Sequence, residues 1–226
     1  MSTVLKQQDD TPGELAVETV SRRPQQGRSK ASLERMLNTA RELMVERGSE
    51  EFTLQEVSQR GKVSIGSIYL RFESKDNLVR AVIGNALEQI AAEEDAMLAG
   101  VKAKSRSLAD FIPRYVEDYA EVLKENAPLL RLAMQRAEID PQVSAPGKRS
   151  AFRSQEISTN AMLEYREEFG GDDHEIKANA AFQIIFSALA RQLSLGSLRE
   201  SVHDYNWELH KRELGRMALA YLKADI

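Results

Sequence analysis

The sequence predicts an all-α protein of about nine helices, with a small N-terminal domain and a larger one behind it. Three observations carry this expectation. Apolar residues recur at helical spacing along most of the chain, no stretch sustains the alternation of a strand, and no proline occurs between Pro24 and Pro113. At 226 residues the chain exceeds one typical domain without filling two large ones, and 42% hydrophobic with 29% charged residues suffices for a substantial core.

Residues from Met1 to about Lys30 lack hydrophobic periodicity, and Ser21 to Arg28 is a polar mix that cannot bury enough surface to order itself, so residues 1–30 are expected to form a flexible arm. From Ser32 onward, Leu33, Met36, Leu37, Ala40, Leu43 and Met44 trace an amphipathic stripe that Gly48 stops. Further along, Asp110 with Pro113 and Asn126 with Pro128 suggest two helix starts, while Pro141 and Pro146 suggest the ends of a loop. Gly170-Gly171 and Gly196 read as stops, and Ser201-Val202-His203-Asp204 reads as the start of a last helix running to about Lys223.

The segment from Phe52 to Leu78 is the most specific. Thr53-Leu54-Gln55-Glu56 has the form of a capping box, and Phe52 can staple onto Val57. The helix so begun ends near Arg60. After Gly61-Lys62-Val63, Ser64 can cap a second short helix, which makes a helix-turn-helix. Ile68 and Phe72 share the inward face with Val57 and Leu54, leaving Ile65, Gly66, Ser67, Tyr69, Leu70 and Arg71 on the remainder. Glycine inside a helix costs about 1 kcal/mol against alanine, so Gly66 suggests that something approaches the backbone there.

Charge is distributed unevenly in a matching way. Residues 21–80 hold twelve Lys or Arg against eight acids, although the whole chain carries −4. Such a local excess is what a nucleic-acid partner requires, and it is equally compatible with an ordinary solvated surface.

The run Val63-Ser64-Ile65-Gly66-Ser67-Ile68-Tyr69-Leu70-Arg71-Phe72-Glu73-Ser74-Lys75-Asp76-Asn77-Leu78 resembles the signature of TetR-type (tetracycline-repressor-like) transcriptional regulators. The resemblance implies a DNA-binding domain at 31–78 and a ligand-binding and dimerisation domain at 79–226. Two residues depart from the pattern. Lys62 stands where a turn glycine is usual, so either Lys62 is left-handed, at about 1–2 kcal/mol, or Gly61 takes that role. Arg71 stands where a histidine is common.

If the second short helix enters a major groove, Ile65 and Gly66 at its N-terminal end meet base edges, and Gln55 can pair with adenine. The resemblance places Thr53, Ser67, Tyr69 and Lys75 on phosphates, with Ser64 at the helix start. Leu70 and Arg71 could contact either. Arg22, Arg23, Arg28 and Lys30 of the arm are candidates for a minor groove or the backbone. The partners implied are a palindromic double-stranded operator, a second copy of the chain and a small-molecule effector, largely apolar or aromatic.

In the larger domain, residues from Ala178 to Leu195 are apolar nearly all round, as in a helix covered on more than one side. The dimer candidates there are Ala181 and Ala188, with Trp207, Leu214, Met217 and Tyr221 of the last helix. Phe111, Tyr115 and Tyr119, spaced i, i+4, i+8, are candidate lining for a ligand cavity, together with Met134, Phe152, Met162, Phe182 and Phe186. A ring stripe at this spacing also serves as plain core. Buried phenols need hydrogen-bond partners, which favours Tyr115 and Tyr119 as ligand contacts.

Enzyme motifs are absent: there is no Gly-rich phosphate loop, Gly-x-Ser-x-Gly elbow or His-Glu-x-x-His. His174, His203 and His210 are too widely spaced to suggest a metal set, Glu93-Glu94-Asp95 reads as an exposed face, and no cofactor is expected. Without cysteine, disulfides and thiolate chemistry are excluded. Neither a membrane span nor an N-terminal leader is evident, so the expected location is the cytoplasm. Two alternatives stand beside the ligand-responsive repressor: a TetR-type DNA binder with no small-molecule effector, and a helical interaction protein whose helix-turn-helix only packs internally.

Overall fold

The computed structural model describes residues 27–195 and 206–225, with side chains from Lys30 onward. Among these residues the chain is all-helical: α1 (Gly27–Arg47), α2 (Leu54–Arg60), α3 (Ile65–Tyr69), α4 (Lys75–Ala103), α5 (Leu108–Ala137), α6 (Pro141–Leu163), α7 (His174–Gln192) and α8 (Trp207–Lys223), with a 3-10 turn at Arg166–Glu168. These eight helices come close to the nine expected. The chain divides into two units, Met1–Glu88 and Gln89–Ile226, and α4 supplies residues to both. No helix among the described residues is long and apolar enough to cross a membrane.

In the first unit, Met36, Ala40, Leu43 and Met44 of α1 are buried, as the stripe requires. Gly48 ends the helix at φ +59, a conformation open to glycine at little cost. The capping box forms in full. The Thr53 hydroxyl accepts from the Glu56 N–H at 3.2 Å, and the Glu56 carboxylate accepts from the Thr53 N–H at 2.8 Å. The turn after α2 resolves the departure at Lys62, which takes φ +50 while Gly61 stays right-handed at φ −78. Gly61 is required for a different reason: a Cβ there would lie 2.8 Å from the Val57 carbonyl and 2.9 Å from Thr39 Oγ1 of α1. Val57, Ile68 and Phe72 are fully buried and hold α3 in place.

In the second unit, α5 packs against α6, α7 and α8, and α7 also packs on α6 and α8. The proline expectations are corrected here. Helix α5 runs unbroken through Pro113 and Pro128, its cap is Ser107 in place of Asp110, and Asn126 is an interior residue donating to Glu93 Oε2 at 2.7 Å. The physical reason is the stripe Phe111, Ile112, Tyr115, Val116, Tyr119, Ala120, Leu123, which continues in register through Pro113 to Ala127. Burying each large side chain contributes about 1.5–3 kcal/mol, so together they outweigh roughly 3 kcal/mol per interior proline. Likewise Pro141 begins α6 behind the cap Asp140, and Pro146 lies inside that helix, so there is no loop between them. Helix α8 starts at Trp207, capped by Asn206; Gly196 and Ser201 to Asp204 lie outside the described residues.

The C-terminal end of α8 is tied down by the Gly170 turn. The Gly170 N–H donates to the Leu222 carbonyl at 3.0 Å, and the buried Lys177 ammonium donates to the carbonyls of Gly170 and Ala224. A cation at this end also complements the helix dipole.

The strained turn yields a stability prediction. Lys62→Gly should stabilise the protein by about 0.5–1 kcal/mol, the left-handed cost less the greater chain entropy of glycine. Gly61→Ala should destabilise it, because the methyl meets the Val57 carbonyl. Urea denaturation checks both, and a Lys62→Gly protein less stable than wild type would contradict the assignment.

Candidate functional site

Two groups of residues in the structure can do chemistry with a partner. The first is on α2 and α3. Ser64 caps α3 by accepting from the Ser67 N–H at 3.1 Å, and its hydroxyl lies 2.7 Å from that of Ser67. With Ile68 and Phe72 facing inward, Tyr69 is 60% and Leu70 53% exposed, and Gln55, Ile65 and Gly66 are also exposed. A Cβ at Gly66 would meet nothing within 4 Å, so no contact among the described residues requires glycine there. An exposed isoleucine and tyrosine on one five-residue helix, with the exposed Leu70 that caps its C-terminus, leave an apolar patch unusual for a free surface.

The polar candidates are partly engaged. Thr53 is exposed, but its hydroxyl is committed to the capping box, and its proton points at Glu56 Oε2 at 3.0 Å. Lys75 donates to the Glu50 carbonyl at 2.9 Å and lies over the Phe52 ring, leaving two of its three N–H donors for a phosphate. Arg71 is 7% exposed, so the structure places it inside the unit, apart from Tyr69 and Leu70. Lys30 is exposed on α1; Arg28 is helical in backbone, and Arg22 and Arg23 lie outside the described residues.

Electrostatics here support the scaffold. Arg47 bonds Glu56, and Arg60 bonds Glu42 and Glu46. The Arg47 hydrogen bond, with those from Thr53, holds the Glu56 carboxyl down to about 2.

The second group is inside the larger unit. Phe111, Tyr115, Tyr119 and Phe182 are buried and form a continuous column, with centroid separations of 5.7, 5.4 and 6.2 Å in that order. Phe186 continues it beyond Phe182 at 6.1 Å, and Met162 is buried in the same core. These rings touch one another, so the expected lining is packed as core. Met134 is exposed and Phe152 is 70% exposed, which removes both from the interior.

Beside the column lies a set of polar groups that sequence reasoning missed. Glu94, expected on an exposed face, is buried. It falls at i+3 from Ala91, with Leu98 and Val101 continuing the same buried stripe of α4, a spacing that would have exposed the misreading. Ser154 of α6 donates to Glu94 Oε1 at 2.7 Å and lies 3.3 Å from the Tyr119 hydroxyl. One turn further along α6, Ser158 faces the fully buried Tyr115 hydroxyl and draws its pKa down against burial, but no partner among the described residues lies within normal hydrogen-bond distance of it. Burial pushes the Glu94 carboxyl up to about 7, against the Ser154 hydrogen bond and the Arg153 charge, which pull it down. Burial likewise raises both phenols, and Glu94 adds to this.

A groove of about 250 Å³ between α6 and α7 reaches the column from outside, lined by Lys148, Ala151, Phe152, Gln155, Phe182, Gln183 and Phe186. Of the dimer candidates, Ala181 and Leu214 are buried within the chain's own core, Ala188, Trp207 and Tyr221 pack against that core, and Met217 is exposed. Ile176 and Ile184 on α7 are exposed apolar residues that the sequence reading did not single out. Glu117, Glu121 and Glu208 converge closely enough to hold a cation, and that place is taken by Lys211, whose ammonium lies 2.5, 2.6 and 3.0 Å from them. Burial lowers the Lys211 pKa, but the three carboxylates outweigh it and the net direction is up.

Residues 36–82 match the family model for bacterial regulatory proteins of the tetR family. Among solved structures, the chain resembles one from Mesorhizobium loti described as a TetR-family transcriptional regulator, with TM-score 0.66, 19% identity, and 88% of this chain and 97% of that one covered. A transcriptional regulator from Rhodococcus is similar at TM-score 0.63 and 16% identity, covering 86% and 98%. A TetR-family regulator from Thermus thermophilus is similar at TM-score 0.57 and 19% identity, covering 81% and 96%. No curated protein matches the sequence significantly. The resemblance carried by Val63 to Leu78 is therefore shown, and over the greater part of its length the chain shares the fold of structures described as TetR-family transcriptional regulators.

The buried carboxyl makes stability depend on pH. Its folded pKa is raised from 4.5 to about 7, so the fold holds a proton that the unfolded chain releases, and stability falls as pH rises through that window and levels off above it. Glu94→Gln removes this cost. At pH 8 the variant should be more stable than wild type by up to about 3 kcal/mol, with the gain vanishing near pH 4.5. Thermal unfolding across that range measures it, and a pH-independent difference would contradict the burial of an ionisable group.

Proposed function

We propose, from the premise that residues 36–82 are a tetR-type helix-turn-helix module, that this protein is a homodimeric, effector-responsive transcriptional regulator that represses by occupying a palindromic operator. The observation that carries the reading is the construction of α3. Ile68, Phe72 and Val57 fix the helix from beneath, while Ile65, Gly66, Tyr69 and Leu70 are exposed among the described residues. In this reading Ile65, Gly66 and Gln55 meet base edges, and Tyr69, Ser67, Thr53 and Lys75 fix the register on phosphates. Leu70 borders both. No catalytic role is assigned to any residue, and the site of action is the cytoplasm.

Dimerisation is assigned to the outer faces of α7 and α8, where Ile176, Ile184 and Met217 are exposed. A second copy would cover them, and a two-fold dimer presents two recognition helices to successive major grooves. Responsiveness to an effector rests on two features of the second unit: the unpartnered Tyr115 hydroxyl and the groove that reaches Phe182. Helix α4 links the two functions, since it begins at Lys75 and carries Glu94. The contact between successive rings of the column favours the second reading, a DNA binder that responds to no small molecule. A library screen for compounds that release the protein from its operator separates the two.

The assignment of α3 is tested by Gly66→Glu. Space around Gly66 is open, so the variant should fold with unchanged thermal stability while losing about 100-fold or more in operator affinity, because the new carboxylate faces an electronegative groove. Gln55→Ala or Ile65→Ala should cost about 1–3 kcal/mol and relax preference at particular base pairs, with little change in salt dependence. Fluorescence anisotropy measures both, and wild-type affinity in Gly66→Glu would remove α3 from the interface.

A further inference from the structure

The polar groups beside the ring column do not balance. On α4 the charged groups are Glu94 and Asp95, with Glu93 taken up by Asn126 of α5. Among the described residues the cation that faces them is Arg153 of α6, which donates to Asp95 Oδ2 at 2.5 Å and stays 3.9 Å from Glu94 Oε2, beyond hydrogen-bond reach. From α5 come the Tyr115 and Tyr119 hydroxyls. With Glu94 ionised, its one counter-charge among the described residues is the Arg153 guanidinium, whose buried Nη1 stands 3.9 Å away and makes no hydrogen bond. Its Oε1 has the Ser154 hydroxyl, while Oε2 has no hydrogen bond among the described residues. A buried carboxylate with one neutral donor is poorly compensated, which is why burial holds its proton on near neutral pH.

The surroundings specify what would complete it. Tyr115 and Tyr119 stack with their planes 11° apart, presenting aromatic faces next to the carboxylate, and a cation is attracted to such faces as well as to the charge. The Tyr115 hydroxyl offers a free acceptor to an N–H donor. From outside, the groove between α6 and α7 has Phe152, Phe182 and Phe186 as apolar walls. Phe182 is one ring from Tyr119, and Gln155 of the rim adjoins Ser154. Glu94 is not part of the groove's lining, which includes Lys148; it is joined to the rim through Ser154, the residue before Gln155.

We propose that the larger unit binds an organic ammonium ion with an apolar or aromatic body, the Glu94 carboxylate supplying its counter-charge, the Tyr115 hydroxyl accepting from its N–H, and the groove rings Phe152, Phe182 and Phe186 holding its body. The proposal rests on the effector-responsive reading and names the chemical class of the effector. On binding, the ammonium replaces the proton on Glu94.

The test uses the full-length protein and three isosteric probes, 4-phenylbutylammonium, 4-phenylbutanol and 4-phenylbutanoate, titrated by calorimetry near pH 8. The ammonium is expected to bind at least about tenfold more tightly than the alcohol, and the carboxylate more weakly than either. In Glu94→Gln, which keeps shape and the Ser154 hydrogen bond, the ammonium should fall to the level of the alcohol while the alcohol is unchanged. Lowering the pH below 7 should erode the advantage in wild type and not in the variant. An advantage that persists in Glu94→Gln, equal binding by all three probes, or binding by none overturns the proposal. Equal binding leaves the effector-responsive reading standing; a library screen in which no compound of any charge releases the operator is what removes that reading.

Discussion

The larger unit depends on one constraint, the burial of a single continuous face of α5. Thirteen of its thirty residues are buried, from Leu108 to Ala133, and α6, α7 and α8 are all placed by contact with it. That demand overrides local signals. Two prolines that elsewhere would break a helix sit within α5, and Pro113 is exposed, so the carbonyl it leaves unbonded can turn to water. Gly215 of α8 approaches the backbone of Pro113, where a Cβ would lie 3.4 Å from its Cα.

Placing tyrosines in that face has a chemical consequence. A phenylalanine column would be satisfied by contact alone, but Tyr115 and Tyr119 bring hydroxyls into a dry interior and oblige α6 and α4 to answer them. Ser154 and Glu94 answer Tyr119, whereas Ser158 faces Tyr115 without bonding it. A core built only for stability would be cheaper with apolar residues at these positions. Two buried cations of the unit are well matched: Lys211 by three carboxylates, and Lys177 by two carbonyls at the end of α8. Glu94, Arg153 and Tyr115 are matched less well, since Arg153 Nη1 and the Tyr115 hydroxyl are buried without a hydrogen bond among the described residues.

The helix-turn-helix was legible because its signals are local. A capping box, a staple, a serine cap and an inward Ile-Phe pair are each decided within five residues, and Thr53, Ser64, Ile68 and Phe72 take the places their spacing dictates. Arg71 was not legible, since its burial depends on how the chain turns after α3. In the larger unit the period of the stripes was visible but their interruptions misled. Asn126 and Asp110 look like caps beside proline, and only the tertiary demand on α5 shows otherwise. Glu94 was hidden by its neighbours: Glu93 and Asp95 are exposed and suggest a solvated run, while the residue between them faces the core. The exposure of Ile176 and Ile184 was invisible because a helix apolar nearly all round does not reveal which side its own chain covers.

The central claim is that α3 reads DNA from a symmetric pair of subunits. Selection of binding sites from a random-sequence duplex pool, using the wild-type protein, tests it most directly. The account predicts enrichment of a palindrome whose half-sites are centred about one helical turn, roughly 34 Å, apart or a multiple of it. Enrichment of no sequence, or of a single unrepeated half-site, would contradict it.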